Sequence, residues 1–223
     1  MKKLLLALNL IAVTPALNAE SVSAILARMD QAAPNFRAIT AEMQMVTYTA
    51  ILSDTTTEKG TLKMQRLKGN DVRAIVDFTG QTDARIIAFS GKTVRVYYPN
   101  ANTFQDFQFG KSSQILNQFL LLGFGSSGSD LARSYEITAE GPENIGATST
   151  TKLLLIPRDA KVKERLAKIE MWMPDDAAYP TQQQFYEPSG NYRKVTYSDV
   201  HLNPPIQETL ELKLPSGVTK QSK

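Results

Sequence analysis

The chain has 223 residues, of which 42% are hydrophobic and 21% charged, so it is neither a disordered chain nor a polytopic membrane protein. It contains no cysteine, which excludes a disulfide scaffold, a cysteine nucleophile, a thiolate metal site and a lipid-modified amino-terminal cysteine. The single histidine, His201, excludes a multi-histidine metal site, and a Ser-His-Asp triad would have to use that residue.

Residues 1–19 have the pattern of a secretory signal peptide. Two lysines precede the apolar run Leu4–Val13, and Leu17-Asn18-Ala19 suits cleavage after Ala19. The apolar run is shorter than the roughly 20 residues that a membrane-spanning helix needs, so we expect the segment to be removed rather than retained as an anchor. Residues 20–223 are then predicted to form a single soluble domain in the periplasm.

The mature chain carries almost no net charge. Removing residues 1–19 takes away two lysines and leaves 23 basic and 22 acidic side chains, a net charge of +1. A surface this close to neutral provides no electrostatic reason to expect nucleic-acid binding.

After the signal peptide, the sequence predicts one helix followed by a long series of strands. Apolar residues at i, i+3, i+4 and i+7 indicate an amphipathic helix over 21–33, which Pro34 ends. The polar residues 54–60 are predicted to form a turn. Alternating or β-branched segments between turn signals predict strands at 38–52, 61–67, 72–78, 84–89, 93–98, 103–109, 134–139, 150–156, 168–173, 181–187, 191–199 and 207–213.

These segments predict a single antiparallel sheet of about ten strands, and sheets of that size usually curl. Residues 112–124 are unusually apolar and predict a short helix, followed by a glycine- and serine-rich turn. The helices at 21–33 and 113–124 are the candidates for covering the concave face. The interior is then either a packed core or a ligand cavity.

The apolar helix over 112–124 and the strand methionines both suit a site for flexible acyl chains. Methionine adapts to irregular apolar shapes, although ordinary core filling explains any single one equally well. The glycines after the helix would let it move as a lid, whereas a fully buried helix is the alternative. The candidate cavity-lining, acyl-chain-binding residues are Met43, Met45, Leu62, Met64, Val72, Ala74, Val76, Phe78, Ile115, Leu116, Phe119 and Leu120.

Arg66 continues the strand face that carries Leu62 and Met64. A charge on an apolar face is unfavourable unless it is paired or lies at the edge. Two interpretations remain open: an arginine at a cavity rim that donates hydrogen bonds to a mobile lid, or the last, solvated residue of its strand.

Catalytic and cofactor chemistry has little support in the sequence. Gly123–Gly128 matches G-x-G-x-x-G, but a dinucleotide site needs a βαβ unit, and antiparallel strands are predicted here. No arrangement of serine and carboxylate would make His201 a catalytic base. The basic residues around Glu164 suggest an exposed face or a docking surface for an acidic partner. We expect no metal, no cofactor and no enzymatic activity.

Four stretches carry a resemblance to a known family. They are Gly60–Arg66, Ser90–Pro99, Pro180–Gly190 and Val200–Val218, and together they cover nearly the whole mature chain in order. In these stretches the chain resembles the periplasmic outer-membrane lipoprotein carrier family, which is called LolA-like.

The resemblance implies a mainly β fold: an incomplete, strongly curved antiparallel barrel closed by short helices over a hydrophobic cavity. It also implies a monomeric chaperone that carries lipoproteins by their acyl chains from an inner-membrane ABC-type release complex to an outer-membrane receptor. The family's lid-holding arginine corresponds to Arg66, although Leu67 here replaces a frequent family proline. The alternative is a periplasmic lipid-binding or envelope-stress sensor protein of the same fold without transfer activity.

Overall fold

The computed structural model describes residues 20–68, 71–80, 82–108, 122–206 and 210–221. The predicted signal peptide and most of the predicted helix at 112–124 lie outside the described residues. The described elements are helices α1 (Val22–Ala32), α2 (Gly128–Ser134) and α3 (Ala160–Lys163), and strands β1 (Ala38–Thr49), β2 (Asp54–Arg66), β3 (Val72–Asp77), β4 (Ile86–Ser90), β5 (Thr93–Tyr98), β6 (Thr103–Gln108), β7 (Tyr135–Ile145), β8 (Thr148–Pro157), β9 (Lys168–Pro174), β10 (Gln182–Tyr186), β11 (Tyr192–Leu202) and β12 (Thr219–Lys220).

All described strands belong to one sheet with the order β12-β6-β5-β4-β3-β2-β1-β11-β10-β9-β8-β7. Neighbours pair antiparallel, except that β12 runs parallel to β6. The sheet curls but does not close, so β12 and β7 remain as edge strands. The predicted fold class, an open curved β-barrel with short helices, is confirmed.

The prediction of a turn at residues 54–60 was wrong. These residues belong to β2, which pairs with β1. Asp54 lies opposite Thr49 at one end of the pairing, and Gln65 lies opposite Ala38 at the other end. Threonines at positions 55–57 are β-branched and fit a pleated strand, despite their polarity. The turn lies earlier, at Ala50–Leu52. Ser53, which follows it, adopts the left-handed conformation with φ of 49°.

The structure describes residues 210–213 of the predicted strand at 207–213, and these residues form no strand. The segment instead lies against the outside of β2 and β3. The backbone N–H of Leu210 donates to Gln65 Oε1 at 3.1 Å, and Glu211 forms an ion pair with Arg73. This segment leads to the short parallel strand β12 at the sheet edge.

Helix α1 packs across the β7–β9 half of the concave face. Ser21 caps its amino terminus by accepting a hydrogen bond from the Ala24 N–H at 3.2 Å, and Ile25 and Met29 are its buried residues. Arg28 attaches the helix to the end of β9, because it donates a hydrogen bond to the carbonyl of Pro174 at 2.7 Å. The same side chain forms an ion pair with Glu20.

The core consists of two clusters. The first lies beneath α1, and its fully buried members include Leu153, Leu155, Ile169, Met171 and Met173. The second, here called the β1–β3 cluster, lies on the concave face of the other half of the sheet. Its buried members are Phe36, Ile39, Met43, Leu62, Met64, Val72, Ala74, Phe78, Phe124 and Val195.

Candidate functional site

The β1–β3 cluster gathers every predicted cavity residue that the structure describes. Met43, Leu62, Met64, Val72, Ala74 and Phe78 are members, and Met45 and Val76 pack against it. The register explains this, because Leu62 lies opposite Val76 and Met64 lies opposite Ala74, which places alternate residues of adjacent strands on one face. Ile115, Leu116, Phe119 and Leu120 lie outside the described residues.

Several members of the cluster escaped the sequence prediction. Ile39 and Val195 follow the same strand alternation and could have been found by it. Phe36 and Phe124 come from connections, where no period marks a buried face. Phe124 packs edge-to-face on Tyr197, with ring centroids 4.8 Å apart, and so covers part of the cluster.

Arg66 lies at the end of β2, at the edge of the β1–β3 cluster. Its Nη1 donates to the Ala33 carbonyl at 2.9 Å, at the end of α1, and its Nη2 donates to the Gly125 carbonyl. The guanidinium carbon lies 5.2 Å from the centre of the Phe36 ring. The side chain therefore joins strand β2 to two separate segments that cover the concave face.

The partners of Arg66 are neutral. Among the described residues no carboxylate pairs with this side chain, and its buried Nε has no hydrogen-bond partner. Burial lowers the pKa of Arg66. A partly desolvated cation that is held by carbonyl dipoles alone is bound less firmly than one that is paired with a carboxylate, so this contact suits reversible release.

A second contact holds the same segment, and nothing in the sequence pattern marked it. Gln183 of β10 is only 2% exposed, and its Nε2 donates to the Leu122 carbonyl at 3.1 Å. Its Oε1 accepts a hydrogen bond from the Tyr197 hydroxyl at 2.9 Å. Burial raises the pKa of Tyr197, which keeps the hydroxyl protonated as a donor. Residues 122–125, here called the latch loop, are therefore held at both ends.

A small apolar cavity lies between the latch loop and the end of α1. Its volume is about 160 Å³. Cavities of roughly this size hold a molecule such as benzene, and a long acyl chain is larger than that. The cavity is lined by Met29, Ala32, Ala33, Asn35, Phe36, Phe124, Gly125, Ser126, Ala178, Tyr179, Leu202 and Asn203.

The opposite end of the β1–β3 cluster is bounded by a different arginine. Arg85 forms two hydrogen bonds with the Glu58 carboxylate, at 2.5 and 2.9 Å, and its guanidinium carbon lies 4.5 Å from the centre of the Phe78 ring. The hydrogen bonds between the two side chains lower the pKa of Glu58 and raise the pKa of Arg85. Unlike Arg66, this arginine has a charged partner and is expected to remain in place.

The Glu58→Gln variant tests this assignment through the pH dependence of stability. Because the folded-state pKa of Glu58 is lowered, its contribution is complete above the ordinary value of 4.5 and is lost as the pH falls through the folded-state value. We expect the variant to unfold about 1 kcal/mol more easily at neutral pH, and the difference to vanish in acid. Urea unfolding at a series of pH values measures this. Glu42→Gln, an exposed change in the neighbouring strand, is the control, and a pH-independent difference would contradict the assignment.

The other candidate motifs have structural roles. The third glycine of the G-x-G-x-x-G motif, Gly128, begins α2, and an added Cβ there would lie 2.1 Å from the Leu26 carbonyl oxygen, so close helix packing explains it. Gly125 supplies the carbonyl that Arg66 binds. His201 is exposed at the end of β11, where its Nε2 lies 3.1 Å from Asp199 Oδ1.

The fold and the site together define a class of protein: an open, curled β-barrel whose concave apolar face is covered by helices and a latch loop. Within the described ranges, none of the helices is both long and apolar enough to cross a bilayer. No family model matches the chain, and no curated protein matches it.

Solved structures share this architecture. An uncharacterized conserved protein from Thermus thermophilus is similar over 91% of this chain and 99% of its own, with 13% identity and a TM-score of 0.52. Lipoprotein LppX from Mycobacterium tuberculosis is similar over 84% and 99%, with 15% identity and a TM-score of 0.50. A LolA superfamily protein from Nitrosomonas europaea aligns over 84% and 96%, with 16% identity and a TM-score of 0.38. At these identities the likeness of the first two structures concerns the fold alone, and the third, with its TM-score of 0.38, adds nothing to it.

Proposed function

We propose that the protein is a periplasmic carrier that holds the acyl chains of lipoproteins on its concave face and shuttles them from the inner to the outer membrane. The observation that carries the proposal is the latch loop, which closes an apolar face and is held there by neutral hydrogen-bond acceptors for Arg66 and by the Gln183 amide. A permanent core would not need such a releasable cover.

The energetics of a shuttle agree with this arrangement. Each methylene of an acyl chain gains about 0.8 kcal/mol when it leaves water, so a soluble carrier must hide the chains. Handing them on requires a closed, empty form that competes with the cargo. The contacts of Arg66 and Gln183 stabilise such a form. The proposed partners are lipoproteins, an inner-membrane ABC-type release complex and an outer-membrane receptor, and the cycle involves no bond cleavage.

Native mass spectrometry with lipid extraction, on protein purified from the periplasm, tests the proposal first. We expect acyl-chain or lipoprotein mass at near-stoichiometric levels, and uptake of a fluorescent fatty-acid probe after delipidation. Transfer of a labelled lipoprotein from inner-membrane to outer-membrane vesicles is the second assay. A native mass equal to that of the protein alone, together with no uptake of the probe, would show that the β1–β3 cluster is a filled core. Binding without transfer would instead favour a sensor of the same fold.

Two adjacent positions of β1 provide a matched pair for the binding assay. Met45 packs against the β1–β3 cluster, whereas Gln44 is exposed on the opposite face of the strand. Met45→Gln is expected to weaken probe binding several-fold, because it places an amide among the acyl-binding side chains. Gln44→Met, which makes the reverse exchange outside the site, is expected to leave binding unchanged.

A further inference from the structure

The β1–β2 hairpin ends in an exposed apolar tip. Ile51 is 91% exposed and Leu52 70% exposed, and across the described ranges only Leu202 joins them as an exposed large hydrophobic residue. Isolated surface apolar residues are ordinary, but two neighbouring ones at the tip of one hairpin are not. We propose that this tip, residues 50–53, inserts into the headgroup region of a lipid bilayer.

The tip is held in a defined position. The Ala50 N–H donates to Asn191 Oδ1 in the β10–β11 turn at 2.9 Å, and Asn191 Nδ2 donates in turn to Glu187 at 3.2 Å. The rings of Tyr48 and Tyr192 stack at its base, with centroids 5.1 Å apart. The apolar side chains therefore remain outside the fold, because the hairpin is fixed and does not fold back over them.

The chemistry around the tip fits an interface between water and lipid. No charged side chain occurs from Tyr48 to Ser53, and Asp54 is the first to follow. Tyr186 of β10 lies beside Tyr192, with ring centroids 5.8 Å apart, so a row of three tyrosines runs from the base of the hairpin across β11 to β10. Amphipathic aromatic rings are enriched at the depth of lipid headgroups.

Basic residues lie along the same rim of the sheet. Since β1 and β8 end and β9 begins at this rim, the β8–β9 connection is a neighbour of the hairpin, three strands or roughly 15 Å away. This connection carries Lys161, Lys163 and Arg165, which are exposed and form no ion pair with any described residue. It also carries two exposed carboxylates, Glu164 and Asp159, the second of which accepts hydrogen bonds from the backbone N–H groups of Lys161 and Val162. Cations beside an apolar tip favour anionic headgroups.

A bilayer fits this surface better than a protein partner does. A stable protein interface buries roughly 800 Å² on each side, usually around a groove or a broad patch. Two side chains at a convex tip offer neither, whereas a bilayer accepts a small wedge and gains from each buried methylene. The proposal is independent of the proposed function, because membrane contact is measured on the empty protein.

Vesicle flotation of the mature protein tests the proposal. With vesicles of phosphatidylethanolamine and phosphatidylglycerol we expect flotation, and a roughly tenfold or greater loss of affinity in Ile51→Ser/Leu52→Ser. The exchange Ile51→Leu/Leu52→Ile keeps the tip apolar and is expected to bind as the wild type does. Lys161→Ser/Lys163→Ser is expected to weaken binding to these vesicles but not to neutral phosphatidylcholine vesicles. Thermal unfolding and fatty-acid probe uptake, both expected to be unchanged, exclude misfolding and loss of cargo binding.

Site-specific labelling provides the orientation. The chain has no cysteine, so Leu52→Cys can carry a single environment-sensitive dye, and Lys92→Cys, in the β4–β5 turn at the opposite rim, is the matched position. We expect a blue shift with vesicles only at position 52. Failure of the wild type to float with either kind of vesicle, or equal flotation of the serine variant, overturns the proposal. If the wild type does not float, the exposed tip is better explained as a contact surface for a protein partner.

Discussion

Arg66→Leu is expected to bind acyl chains as well as the wild type, or better, but to deliver them to an acceptor at least tenfold more slowly. The variant loses the hydrogen bonds to the Ala33 and Gly125 carbonyls that stabilise the closed, empty form. Each such bond to a charged donor contributes about 1.5–3 kcal/mol, so the balance moves toward the open form, which retains its cargo. Fatty-acid probe titration and vesicle-to-vesicle transfer measure the two steps separately.

Two companion variants separate the latch from a loss of charge. Arg66→Lys keeps the cation, but a single ammonium lacks the planar fork that reaches two carbonyls, so transfer is expected to be intermediate. Arg73→Leu removes an arginine from the neighbouring strand, where the side chain pairs with Glu211 outside the barrel, and is expected to transfer normally. Normal transfer by Arg66→Leu itself would defeat the proposed role.

Gln183→Met is expected to free the other end of the latch loop. The change removes the donor to the Leu122 carbonyl and leaves that carbonyl and the Tyr197 hydroxyl without their buried partner. Such losses destabilise a fold by about 1–3 kcal/mol. We therefore expect backbone amides of residues 122–127 to exchange hydrogen roughly tenfold or more faster, with a lower thermal unfolding midpoint.

Tyr197→Phe is the graded control for this experiment. It removes the hydroxyl that orients Gln183 but keeps the ring that packs on Phe124, so a smaller increase in exchange is expected. Because Arg66 and Gln183 hold the same loop, their effects on exchange should be non-additive in the double variant. Unchanged exchange at residues 122–127 in Gln183→Met would show that this contact does not hold the loop.

The alternation of apolar residues correctly predicted which face of β2 and β3 is buried. Leu62 and Met64 in β2, and Val72, Ala74 and Val76 in β3, are apolar at every second position. Burial of one face makes a register slip unfavourable, so these residues were assigned together. The position of Arg66 on that face indicated a charge that needs special partners. The polar residues 54–60 were misassigned, because pairing with β1 outweighed their resemblance to a turn.

The amino-acid pattern by itself determined which side of each strand faces the interior, because strand periodicity is local and the hydrophobic effect acts on each residue. It could not indicate Gln183, since a glutamine in an alternating strand resembles a solvated residue until folding brings a carbonyl 61 positions away to its amide. Likewise only the tertiary structure brought Phe36, Phe124 and the Gly125 carbonyl around Arg66. Contacts between connections and distant strands depend on the path of the chain in space, and no local period encodes that path.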